Sequence, residues 1–157
     1  MQQTKDIYKQ RNQFQEIELK EFSILFLVIN NLDIFRQNIE LISEVNFSTD
    51  LMNDFKKKLI NYLLSESFFD RKKIELQDFD SKFKNIINLV NSNAPVKMIY
   101  INKSETEIVS IFDEITAEIK KIELQKRIES LEHKVALNLD ENLYKELLSL
   151  RNQLKGG

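Results

Sequence analysis

Few residues in this sequence have the type and spacing to do chemistry. His133 is the single histidine, and so the only side chain whose unperturbed pKa lies near neutrality. General acid–base work needs a second titrating group and an orienting partner. His133 falls instead on the polar side of a helical pattern, where a surface role is expected. Glu114 and Glu118 stand four apart, but two carboxylates with no histidine or third ligand do not make a metal site; a solvated helix side accounts for them. Asp78 and Asp80 fall where a helix should start, a place that favours carboxylates through the helix dipole. The serines have no base and no G-x-S-x-G elbow. There is no cysteine, hence no disulfide, thiolate nucleophile or thiolate metal site. No catalytic residue, metal or cofactor is expected, and the elements themselves must carry the function.

The 157 residues suffice for one ordinary domain or two small subdomains, and 42% apolar with 31% charged residues is a globular balance. With a formal net charge of −2, no strong field draws the chain to nucleic acid or anionic lipid. Direct nucleic-acid binding is therefore not expected, and the run Lys56–Lys57–Lys58 reads as a solvated helix face. The opening MQQTKDIYKQRNQF lacks the apolar stretch of a signal peptide. The most apolar run, FSILFLVI from Phe22 to Ile29, is too short to span a bilayer. The expectation is a cytoplasmic chain with no membrane partner. Both glycines are terminal and Pro95 is the only proline. A glycine-rich phosphate cradle is thus excluded, and turns needing positive φ must use Asn or Asp. Scarce breakers with abundant Ile, Leu, Lys and Glu predict an all-α fold.

Residues 1–15 read as a polar extension or linker. A helix from Ile17 to Asn30 is apolar nearly all round, as in an enclosed helix, with Asn30 and Asn31 able to end it in the left-handed conformation. Short helical pieces follow at Asp33–Arg36 and Ile39–Glu44. Ser48 or Thr49 can cap a helix from Asp50 to Leu64, whose stripe is Met52, Phe55, Leu59 and Leu63, with Lys56, Lys57 and Asn61 facing water. Another helix, Asp78 to Asn91, carries Phe79, Phe83, Ile86, Ile87 and Val90. Phenylalanines at such spacing mean core rather than a base-stacking platform. Pro95 breaks the pattern, and Met98 to Ile101 reads as an apolar tether packed on the core.

Ser104 and Glu107 form an S-x-x-E capping box, opening a helix expected to reach about Lys134, roughly 45 Å at 1.5 Å per residue. Ile108, Phe112, Ile115, Ile119 and Ile122 make one apolar stripe. A second, Leu124, Ile128, Leu131 and Val135, lies on a different side, because the step from Ile122 to Leu124 turns the axis by about 200°. One helix thus shows one face to one body and another face to a second, and part of it must project. The second body is a closing hairpin. Asp140 can cap the last helix, with Leu139 and Tyr144 placed for a hydrophobic staple. That helix carries Leu143, Leu147, Leu150 and Leu154, spaced to zip antiparallel against the second stripe. Glu123–Arg127 and Glu141–Lys145 are i,i+4 pairs in the favourable order. The organisation is then a compact helical subdomain over 16–122 and a hairpin over 123–157.

Leu148 remains over, with Tyr144 and Arg151 beside it. Leu, Tyr and Arg on one short face suit a binding surface. Equally, single exposed apolar residues are normal, and Tyr144 could do no more than complete its staple.

Two stretches resemble a known family. KEFSILFLVINNLDIFRQNIELISEVNFSTDLMNDFKKKLINYLL, Lys20 to Leu64, has a very apolar helix, an N-x-x-x-F pattern (Asn31 to Phe35), LISEVNF, and a helix ending in paired leucines. The segment from about Ile115 to Lys155 runs a long helix into a hairpin closing with LDENLYKELLSLRNQLK. Together they resemble the C-terminal helicase-binding domain of bacterial replicative DNA primase, the DnaG family. The resemblance implies a compact subdomain that modulates the hexameric replicative helicase, and a terminal hairpin, held off by a long helix, that docks on the helicase N-terminal domains. Tyr144, Leu148, Arg151 and Lys155 would then contribute to the contact. Single-strand-binding protein is a further candidate partner, and the chain is expected to be a monomer. The family's zinc-binding and Toprim domains have no counterpart here, so primer synthesis by this chain alone is not expected. Two rivals remain open: the helicase's own N-terminal domain, similar in fold but leading into a P-loop ATPase, and a coiled-coil adaptor that dimerises through its last two helices.

Overall fold

A computed structural model of the chain describes residues 14–65, 79–99, 102–138 and 140–156. Those residues form helices α1 (Glu16–Asn30), α2 (Leu32–Gln37), α3 (Ile39–Ser43), α4 (Asp50–Leu64) and α5 (Ser81–Asn93), then a 3-10 helix (Pro95–Met98), α6 (Glu105–Leu137) and α7 (Glu141–Gly156). The fold is all-α, with no strand among the described residues. It divides into two compact units, the first ending at Thr116 and the second starting at Ala117. Helix α6 therefore contributes residues to both.

In the first unit α1 is the central element. Residues 21 to 29 are all buried, which is why its apolar positions run all round the helix instead of along one stripe. It packs on α2, α5 and the 3-10 helix. The junction with the 3-10 helix is polar: the buried hydroxyl Oγ of Ser23 accepts from the backbone N–H of Val96 at 3.2 Å. Aromatic rings meet elsewhere in the core, among buried Ile and Leu side chains. Phe55 lies 5.6 Å from Phe79 and 5.5 Å from Phe83, Tyr62 stacks on Phe79 at 5.5 Å, and Phe35 meets Phe112 of α6 at 5.2 Å. The α4 stripe of Met52, Phe55, Leu59 and Leu63 is buried as the spacing predicts, and so are Phe79, Phe83, Ile86, Ile87 and Val90.

Caps set the helix bounds. Thr49 Oγ1 accepts from the N–H of Met52 at 3.2 Å and starts α4. The other candidate cap, Ser48, is held from elsewhere: Glu21, only 1% exposed, takes its backbone N–H and its hydroxyl, each at 2.6 Å. Asn53 pins the same loop by exchanging two 2.9 Å bonds with the backbone of Phe47. At the other end of α4, Arg36 Nε donates to the carbonyl of Leu63.

Several local expectations need correction. The end of α1 is not left-handed, since Asn31 has φ −141°. Instead Asn30 and Asn31 fold their amides back onto the carbonyls of Phe26 and Leu27, at 2.9 and 2.8 Å. Asn38 and Asn93 do the same to Ile34 and Leu89. The one described residue with positive φ is Asn102, at 60°. Lys56 does not simply face water: half-buried, it gives its ammonium to the carbonyls of Val45 (2.8 Å) and Ser43 (3.4 Å). Helix α5 begins at Ser81; Asp78 lies outside the described residues. Of the expected core-packed tether, Met98 is 85% and Ile99 56% exposed, because the 3-10 helix turns Val96, not its neighbours, inward. Tyr100 and Ile101 lie outside the described residues.

Candidate docking site on the terminal hairpin

The long helix α6, whose later part enters the second unit, opens in the first unit on a capping box. Ser104 Oγ accepts from the N–H of Glu107 at 3.2 Å while the Glu107 carboxylate takes the Ser104 N–H at 3.3 Å and its hydroxyl at 3.0 Å. These bonds, above all that from the backbone N–H, hold the Glu107 carboxyl below its ordinary pKa, with Lys103 at 3.6 Å adding to the effect. From there α6 runs 33 residues, about 50 Å, extending past Lys134 to Leu137. Of its first stripe, Ile108, Phe112 and Ile119 are buried, while Ile115 and Ile122 are half-buried.

The second stripe packs where the leucine spacing places it. Ile128 and Leu131 of α6 are buried with Leu147 and Leu150 of α7, flanked by half-buried Leu124, Val135, Leu143 and Leu154. All eight positions share one core. Asp140 starts α7, its Oδ1 accepting from the N–H of Asn142 at 2.8 Å and its carbonyl from Tyr144 at 3.1 Å. Leu139, the other half of the expected staple, lies outside the described residues.

Ion pairing departs from the local expectation. Arg127 reaches across the hairpin to Glu146 at 2.7 Å instead of pairing with Glu123, and Arg151 meets Glu132 of α6 at 2.7 Å. No Glu141–Lys145 pair forms among the described residues. At about 100° per residue, Arg127 and Glu132 lie roughly 70° to either side of the α6 stripe, so one bridge closes each flank of the core. For Glu123–Arg127, what overrides the local pairing is the neighbouring helix, whose Glu146 carboxylate lies 2.7 Å from the guanidinium.

Of the residues singled out for docking, Tyr144 is 50% and Leu148 41% exposed, and Lys155 is exposed. Arg151 is half-buried and engaged with Glu132. The outer face of α7 therefore presents an apolar centre, Tyr144 and Leu148, edged by a guanidinium already balanced by a carboxylate. Beside it, near the turn, Val135, Asp140, Glu141, Tyr144 and Lys145 line a pocket of about 510 Å3. The sequence reading missed this pocket because it forms only when Val135 is brought beside Tyr144 across the turn.

His133, Glu114 and Glu118 are exposed on α6. Among the described residues no three metal-ligating side chains converge, and no helix is long and apolar enough to cross a membrane. Among the described residues, α7 leaves Tyr144 and Leu148 open, a half-apolar face that can bury against another protein surface. Comparison with protein-family models, with curated proteins and with solved structures finds no match.

Proposed function

We propose that this chain is a non-catalytic docking module whose terminal hairpin binds the N-terminal domains of a hexameric replicative DNA helicase, bringing primase to the place where duplex is opened. The reading rests on the resemblance of Lys20–Leu64 and Ile115–Lys155 to the helicase-binding domain of bacterial DNA primase. The observation that supports it is the outer face of α7, which leaves Tyr144 and Leu148 half exposed while every other leucine of the hairpin stripes is turned inward. An exposed leucine forgoes roughly 1.5–3 kcal/mol that burial would yield, so a partner covering this face gains that energy.

The test is a pull-down of the purified chain, with and without residues 136–157, against a bacterial replicative helicase. Retention of helicase by the whole chain and loss on truncation is the expected result. Binding that survives removal of the hairpin would overturn this assignment.

A further inference from the structure

The outer face of α7 has an internal order that goes beyond an apolar patch. Glu141, Leu148 and Lys155 recur every seven residues, so they lie on one line along the helix. That line carries a negative charge at one end, a leucine at the centre and a positive charge at the other. Tyr144 and Arg151 flank the leucine, four residues before it and three after. All three of the central line's side chains are exposed, and neither Glu141 nor Lys155 has an ion pair among the described residues.

Such a line is complementary to itself when inverted. We infer that the strip Glu141–Tyr144–Leu148–Arg151–Lys155 pairs with the same strip of a second copy of this chain, the two α7 helices antiparallel about a two-fold axis at Leu148. A two-fold contact repeats each pairing twice. Leu148 meets the second copy's Leu148, each Glu141 meets a Lys155, and each Tyr144 ring meets an Arg151 guanidinium in cation–π geometry. The pocket beside Tyr144 lies where the incoming lysine arrives: Val135 and Tyr144 can cover its aliphatic stem and Asp140 and Glu141 its ammonium, with Lys145 the cation on the same lining. The like-charge approach this register creates is Lys155 toward Lys145, which lines the same pocket and is offset there by Asp140 and Glu141. A single helix face is small for an interface, so the pairing is weak and concentration-dependent. It does not need the helicase reading. Where that reading also holds, the two contacts share a face and exclude one another, and self-pairing keeps the docking face covered until helicase displaces the second copy.

Charge exchange tests it on the whole chain. Sedimentation velocity from about 10 µM to about 1 mM should show wild type moving from monomer toward dimer, as a small interface requires. Glu141→Lys alone and Lys155→Glu alone should each weaken self-association about tenfold, since each replaces two attractions with two repulsions. Mixing the two variants one to one should restore it, because both cross-pairings are then attractive. Circular dichroism on each variant confirms that the hairpin is intact. Wild type that stays monomeric throughout overturns the inference, whether or not it binds helicase. So does a dimer that both single variants form as readily as wild type, which would place the contact elsewhere.

Discussion

At the scale of single residues, Glu107 and Glu21 are carboxylates that each accept from a serine's backbone N–H and hydroxyl, one within a helical turn and one across the fold. The Ser104–Glu107 box was legible because both partners lie within one turn and the pattern S-x-x-E names them. Its electrostatics follow. The folded-state pKa of Glu107 is depressed by its Ser104 bonds, so its contribution is whole above the ordinary glutamate value and fades as pH falls through the lowered one. Protection factors of the first-turn amides of α6, taken against the intrinsic exchange rate at each pH, should therefore fall in acid before those of the core, and Glu107→Gln should remove that pH dependence. Glu21 was not legible, because its partner Ser48 lies 27 residues away and no local pattern joins them. Glu21→Ala strips the acceptor from a backbone N–H and a hydroxyl, and should cost about 1–3 kcal/mol in chemical denaturation. Unchanged stability would mean that water replaces the carboxylate there.

At the scale of elements, the hairpin gives a paired comparison within one turn of helix. Leu147 is 3% exposed and belongs to the core shared with α6; Leu148 is 41% exposed. Leu147→Ala should destabilise the hairpin by about 2–5 kcal/mol. Leu148→Ala and Tyr144→Ala should leave helix content unchanged and instead weaken helicase binding by about 1–3 kcal/mol, the range for truncating an anchor. If the two leucine variants behave alike in denaturation, the inner and outer faces are misassigned. The faces were readable from spacing by four, three and four. The cross-hairpin bridges were not, because a helical pattern reports only neighbours on its own helix. They matter for register: a leucine stripe nearly superimposes on itself after a heptad, so apolar packing alone tolerates slippage, and Arg127–Glu146 with Arg151–Glu132 distinguishes the observed alignment.

For the whole molecule, composition carried the fold class, since a chain with no internal glycine and one proline has little means of breaking helices. What composition could not supply was how those helices stop, and the answer has a chemical consequence. Asn30, Asn31, Asn38 and Asn93 each give a side-chain N–H to the carbonyl four residues behind. Deamidation at any of them would set a carboxylate, which has no hydrogen to give, against a carbonyl oxygen. Storage at alkaline pH should thus loosen this protein first at its helix ends. Asn31→Asp, made as a mimic of the aged form, should lower the thermal midpoint while a change at an unbonded surface asparagine does not. A backbone punctuated by amides instead of glycines keeps its shape only as long as those amides survive.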